Sequence, residues 1–306
     1  MSDPTIEAAV DIRSLPFPEA LAWLRENGDV PELRTDVDTA SVRRRFPRLA
    51  GVTVSDLTVE SPHGPQPARV YRDASAAPSG RALVWVHGGA FIGGYLDMPE
   101  SKWVALELAA RGIPVFAVDY TKCLGDVHYP VPSDDVLAAW HHAREHAIEL
   151  LGVTPDALLL GGASAGGTLT AGAVARLRDA GADVPAGLVS VYPAVHPDGG
   201  RPGDIPDPAS PMTQIALNYA GSAEMLAHPH VFAGLGSGAG FPPTLVVVCE
   251  RDGLRPSGEA FAVLLAHAGV DVRVHLEPGA DHAHINEPSD PTAQPTIDTI
   301  AAWIAR

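Results

Sequence analysis

The amino-acid sequence predicts an α/β fold: a mostly parallel, twisted sheet with helices on both faces and a small cap. Three observations predict it. Short apolar runs of strand length recur from residue 82 onward, as expected of strands buried on both faces. Helical periodicity fills the intervals between them. The alternation has the spacing of right-handed strand–helix–strand units, which set consecutive strands parallel in one sheet. With 306 residues, 46% of them hydrophobic, the chain can build one large domain or two small ones with a sizeable core.

The first 50 residues are mixed in character. Pro18 to Asn27 has helical spacing through Leu21, Trp23 and Leu24, and Thr39 to Phe46 reads as another short helix. Val52 to Glu60 and Ala68 to Arg72 alternate apolar and polar residues around a turn-rich segment, Ser61 to Pro67, which suggests a β-hairpin. Ala82 to Val86 is a buried strand, Glu100 to Arg111 a helix and Ile113 to Val118 a second buried strand. Ser133 to Leu151 reads as a long helix with Ser133 as N-cap. Ala157 to Leu160, Leu188 to Tyr192, Thr244 to Cys249 and Val270 to Leu276 complete the strands. Gly166 to Ala180, Ser257 to Ala268 and Thr292 to Ala305 complete the helices. One segment breaks the rhythm: residues 196–240, opening on the Pro- and Gly-rich stretch PDGGRPGDIPDPASP, are too long for an ordinary connection. We read 1–50 as an N-terminal cap segment, 51–306 as the main domain, and 196–240 as an insert that adds to the cap.

The formal net charge is −16 and the pI about 5.1, with no basic run beyond Arg43, Arg44 and Arg45. Nucleic-acid binding needs a basic face, so this balance argues against it and against anionic membranes. Two cysteines, Cys123 and Cys249, are too few for a disulfide scaffold, and Cys249 at the end of an apolar run reads as a small buried hydrophobe. The opening MSDPTIEAAVDIRS lacks the basic and apolar regions of a signal peptide, and no apolar stretch reaches membrane-spanning length. The expectation is a soluble cytoplasmic protein; a homodimer stays open.

The strongest chemical signal is Gly162-Ala163-Ser164-Ala165-Gly166, a G-x-S-x-G between a strand and a helical pattern. A serine on so sharp a turn is lifted above the sheet edge. The residues two before and two after it meet neighbouring backbone, so glycine is required there. The N–H of Ala165 then lies at a helix N-terminus, where partial positive charge favours an oxyanion. His87-Gly88-Gly89-Ala90-Phe91 directly follows the strand ALVWV. Glycines there let backbone amides approach a ligand oxygen, and the amides of Gly88, Gly89 and Ala165 are the expected oxyanion hole. No phosphate-binding G-x-x-x-x-G-K-[ST] or G-x-G-x-x-G pattern competes for this loop. His87 reads as structural.

A serine hydroxyl needs an adjacent base. Asp252 follows one strand end, and His282 follows another, in the order Ser, Asp, His. Both lie at the carboxyl edge where sites of parallel sheets collect. Glu250 and His284 compete for these two roles. His142 and His146 formally match H-x-x-E-H, a zinc-protease pattern, but the neighbouring His141 and Glu149 fit the polar outer face of a helix.

Together HGGAF at 87–91, GASAGG at 162–167, the acid at 252–254, PGADH at 278–282 and VDYTKCLGDVHYP at 118–130 resemble the hormone-sensitive-lipase branch of the α/β-hydrolase fold. The resemblance covers about residues 52–306. It implies hydrolysis of small or medium carboxylic esters, no cofactor, and a cap built from the N-terminus and the insert; with the zinc-protease pattern read as a polar helix face, no catalytic metal is expected. It also implies His282 rather than His284 as the catalytic histidine. The chain departs from the pattern at Ala90 and Ala163, and over Lys122, Cys123 and Gly125. Rival readings are a lactonase, an amidase or another tailoring enzyme on the same scaffold, and a binding protein that reuses its pocket.

Overall fold

A computed structural model describes residues 15–27, 36–200 and 207–306. The opening segment 1–14 read for a leader, part of the N-terminal cap segment, and residues 201–206 of the insert lie outside the described residues. Eight strands form one sheet in the order β1-β2-β4-β3-β5-β6-β7-β8 among the described residues. They are β1 Thr53–Ser61, β2 Gly64–Arg72, β3 Ala82–Val86, β4 Val115–Val118, β5 Leu158–Ala163, β6 Leu188–Val191, β7 Thr244–Cys249 and β8 Val272–Glu277. The β1–β2 and β2–β4 pairs are antiparallel, and every pair from β4 to β8 is parallel.

The hairpin turn is tighter than expected. Ser61 pairs with Gly64, whose φ of 112° closes the turn over Pro62 and His63 alone. Strand β2 tolerates Pro65 and Pro67 because β4 pairs only with Ala68–Tyr71, leaving the prolines where the strand has one neighbour.

Alternation along the sheet sends side chains to two cores. Val84, Val86 and Leu160 pack with Val136 and Trp140 of α4 (Val131–Glu145), Leu169 and Val174 of α5 (Ala165–Asp179), and Phe261 and Leu265 of α7 (Arg255–His267). Leu83, Trp85 and Leu159 pack on the opposite face with Trp103 and Leu106 of α3 (Pro99–Ala109) and Ile297 and Ile300 of α8 (Ala293–Ile304). Each such side chain contributes about 1.5–3 kcal/mol by leaving water, so both helical layers are held on by apolar burial. Helix α4 starts two residues before Ser133, because Pro132 fits its first turn. Ser133 therefore does not cap it; its hydroxyl accepts a hydrogen bond from Arg176 at 2.7 Å. The helix also ends earlier than expected, at Glu145, and passes into a single π turn, Ala147–Leu151.

Two further helices lie outside the sheet layers, α1 Phe17–Asn27 and α2 Thr39–Arg45. The insert contains a helix that the periodicity did not reveal, α6 Pro211–Ala220, opened by Ser210-Pro211 and closed by Gly221 at φ 79°. Among the described residues no helix is long and apolar enough to cross a membrane.

Candidate active site

Strand β5 runs into α5 through a single residue. Ser164 sits there at φ 52°, ψ −119°, a strained conformation costing about 1–3 kcal/mol. Its N–H donates to Val191 O at 2.9 Å, which ties the turn to β6. The flanking glycines are steric necessities. A Cβ on Gly162 would lie 2.5 Å from the Gly166 carbonyl carbon, and one on Gly166 would lie 2.1 Å from Val86 O.

Residues after β7 and β8 converge on this turn. His282 Nε2 lies 3.0 Å from Ser164 Oγ. His282 Nδ1 lies 2.7 Å from Asp252 Oδ2. A carboxylate only accepts, so Nδ1 carries the ring proton and Nε2 of the neutral ring is left as acceptor for the serine hydroxyl. Asp252 is buried, and its other oxygen accepts the Leu254 N–H at 2.8 Å. The structure thus brings Ser164, His282 and Asp252 into one hydrogen-bonded chain, although 118 residues separate the first two.

The two competitors lie elsewhere. Glu250 is exposed and accepts the Gly279 N–H at 2.6 Å. His284 is buried, with Nε2 2.8 Å from Thr296 Oγ1 and Nδ1 3.4 Å from Cys249 Sγ. Burial lowers its pKa, and burial raises that of the Cys249 thiol. The His142 and His146 rings lie against each other, centroids 4.6 Å apart and tilted by 48°, at the end of α4. Among the described residues no three His, Cys, Asp or Glu side chains gather as a metal-holding group.

The glycine loop after β3 differs from expectation at one position. Gly88 N–H does not face the cavity; it donates to Glu100 Oε1 at 2.5 Å. Gly89 and Ala90, together with Ala165, line the cavity instead. Their amides have no hydrogen-bond partner among the described residues. Gly89 needs its φ of 117°, and a Cβ there would lie 2.3 Å from Gly93 O. Ala90 (φ 53°) and Phe91 (φ 64°) are also left-handed, so the loop curls on itself and turns successive amides inward. Its outer side is braced by His87, whose ring bridges Gly88 O at 2.6 Å and Asp119 at 3.1 Å, and by Tyr120, whose hydroxyl donates to Gly88 O. Burial would raise the Asp119 pKa, but hydrogen bonding to His87 and the Lys122 charge outweigh it and hold it at about 2.

Glu100 is the residue that sequence reasoning missed. It is buried at the start of α3, and its second oxygen accepts the Tyr192 hydroxyl at 2.6 Å. Tyr192 in turn packs edge-on against the His282 ring at 4.9 Å. One carboxylate thereby joins the glycine loop to the end of β6, beside the histidine. An acid in the first turn of a helix ordinarily complements the helix dipole, so nothing in the sequence marked this one. Glu100→Ala is expected to lower kcat about 10- to 100-fold, because a loop shifted by a fraction of an ångström misdirects its amides. Glu100→Gln should retain most activity: its carbonyl can accept from Gly88 while its amide donates to the Tyr192 oxygen. Steady-state kinetics beside thermal melts check this, and equal losses in both variants at unchanged stability would rule it out.

The cavity above Ser164 and His282 measures about 330 Å³. Phe91, Met98, Ala194, Met212, Ile215 and Leu254 give it an apolar wall, with Met212 and Ile215 supplied by α6 of the insert.

Known proteins share the fold of this chain. Residues 83–286 match a family described as having the alpha/beta hydrolase fold. An ethyl acetate hydrolase of Pseudomonas putida is 32% identical over 243 residues, 75% of this chain and 74% of that protein. Esterase LipI of Mycobacterium tuberculosis is 30% identical over 252 residues, 79% of this chain and 78% of its own. The solved structure of an esterase from Pyrobaculum calidifontis superposes with a TM-score of 0.74 at 27% identity, covering 88% of this chain and 93% of that one.

Proposed function

We propose, from the premise that this chain belongs to the α/β-hydrolase family and is a carboxylesterase-type hydrolase of its hormone-sensitive-lipase-like branch, that Ser164 is its nucleophile, His282 its general base and Asp252 the group that orients the base. The observation carrying this assignment is the unbroken chain Ser164 Oγ, 3.0 Å, His282, 2.7 Å, Asp252 at the floor of an apolar cavity.

Each step follows from those contacts. His282 Nε2 takes the Ser164 proton as Oγ attacks the ester carbonyl carbon. The carbonyl oxygen becomes an oxyanion and is held by the amides of Gly89, Ala90 and Ala165. Gly88, included on sequence grounds, acts by fixing the loop. Asp252 stabilises the imidazolium that forms. The tetrahedral intermediate collapses, the C–O bond to the alcohol breaks, and His282 gives its proton to the departing oxygen. Water then repeats the attack on the acyl-enzyme, again delivering a proton to His282, and the acid leaves as Ser164 is restored.

The cavity volume suits small or medium acyl groups, and its apolar wall suits their carbon chains. Helix α6, lying across it, and α1, whose Arg25 donates to Gly125 O, form the cap in this reading. A fluorophosphonate probe tests the assignment directly. The parent should take up one equivalent, located on Ser164 by peptide mass spectrometry, and Ser164→Ala should take up none. A parent that stays unlabelled, or labelling of another residue, would remove the nucleophile from this scheme.

A further inference from the structure

Among the described residues, the polar side chains lining the cavity are Glu100, Ser164, His282 and Asn286, and the first three are fully engaged. Glu100 is consumed by Gly88 and Tyr192, and Ser164 and His282 by each other. The remaining polar side chain is Asn286, half-buried, four residues beyond His282 on the same loop. Its orientation is fixed by donor and acceptor accounting. The backbone N–H of Glu100 points at one end of the Asn286 amide across 3.0 Å. An N–H can only be met by an acceptor, so that end is the oxygen, and the amide cannot flip without setting donor against donor. The other end, Nδ2, therefore carries two hydrogens and has no partner among the described residues. The backbone under it is also held: Asn286 N–H donates to Ala283 O at 2.8 Å, in the short turn that follows the catalytic histidine.

We propose that Asn286 is a specificity-determining residue whose Nδ2 donates a hydrogen bond to a second oxygen on the substrate, so that the cavity favours esters carrying an alkoxy, hydroxy or keto oxygen near the reacting carbonyl over purely aliphatic ones. The proposal rests on the esterase reading above and deepens it. A fixed donor in an apolar wall discriminates in both directions. An oxygen placed against it gains a hydrogen bond with little ordering cost, since Glu100 has already set the amide. A methylene in the same place covers the N–H and leaves it unpaired. Sites that hydrogen-bond their substrate reject the analogue lacking the partner for this reason. One neutral hydrogen bond corresponds to about a 3- to 10-fold preference.

The test uses pairs of esters in which one oxygen replaces one methylene. On the acyl side these are 4-nitrophenyl methoxyacetate and 4-nitrophenyl butanoate. On the alcohol side they are 2-methoxyethyl acetate and butyl acetate. kcat/KM is measured for the parent, Asn286→Leu and Asn286→Asp. Intrinsic reactivity differs within a pair, but it cancels when the oxygen-to-methylene ratio of a variant is divided by that of the parent. In at least one pair this quotient should fall about 3- to 10-fold for Asn286→Leu. Asn286→Asp keeps an acceptor towards Glu100 and the shape of the side chain but turns the donor into an acceptor. Its quotient should fall at least as far, which separates lost recognition from a disturbed loop. Quotients within 2-fold of unity in both pairs, for both variants, would overturn the proposal and leave the esterase reading intact. A parent that hydrolyses none of the four esters would overturn both.

Discussion

Ser164→Ala is expected to lower kcat on the best ester by about 10⁵- to 10⁶-fold, the loss typical when the nucleophile of such a constellation is removed. The substitution takes away one oxygen and little else. Alanine has the same Cβ, so it meets the same neighbours at φ 52°, and the Ser164 N–H bond to Val191 O is a backbone contact that persists. His282 keeps its bond to Asp252. Cavity, amides and base therefore all remain, and residual turnover can come only from water activated by His282 or from binding alone. A panel of esters of increasing acyl length, run on parent and variant at equal concentration, measures the ratio. Residual activity above about 1% of the parent on its best ester would mean that another group supplies the nucleophile; so large a remainder exceeds what the oxyanion amides and binding sustain by themselves.

The sequence disclosed what local physics enforces. The inner parallel strands were legible because they are short apolar runs: every residue of β3, β5 and β7 is buried. The turn at Ser164 was legible because Gly162 and Gly166 cannot carry a side chain against Val86 and each other. Asp252 and His282 were legible as pairs of alternatives. Glu250 and Asp252 both follow β7, and only the fold decides which carboxylate reaches the ring, through the Arg251 N–H bond to Ala280 O that brings the two loops together. What stayed hidden is what depends on distant partners. The amide of Gly88 looked equal to that of Gly89 because nothing in HGGAF discloses that Glu100, twelve residues on, takes one of them. Helix α6 stayed hidden for a different reason. It covers a cavity, its buried residues include Asn218 and Tyr219, and its apolar stripe is interrupted accordingly. Its caps were readable, but its neighbourhood of prolines and glycines masked them.

Asp252→Asn should cost about 10⁴-fold in kcat although it changes neither size nor shape. The argument is again one of donors and acceptors. Asp252 Oδ1 accepts the Leu254 N–H at 2.8 Å while Oδ2 faces His282 Nδ1 at 2.7 Å. In the asparagine the oxygen must stay on the Leu254 side, because an N–H there needs an acceptor. The amide nitrogen is then presented to the ring, and His282 can receive it only through an unprotonated Nδ1. The ring proton moves to Nε2, which now points a hydrogen at Ser164 Oγ instead of a lone pair. The base is still 3.0 Å from the nucleophile but in the tautomer that cannot accept its proton. Glu250→Gln provides the contrast. Among the described residues the Glu250 carboxylate meets only the Gly279 N–H at 2.6 Å, which a glutamine carbonyl can also accept, so the kcat of this variant should stay within about 2-fold of the parent. kcat measured for both variants, with melting temperatures to confirm folding, decides between the carboxylates. A large loss at residue 250 with little at 252 would reverse the assignment, whereas the reverse pattern ties catalysis to the histidine tautomer that Asp252 sets.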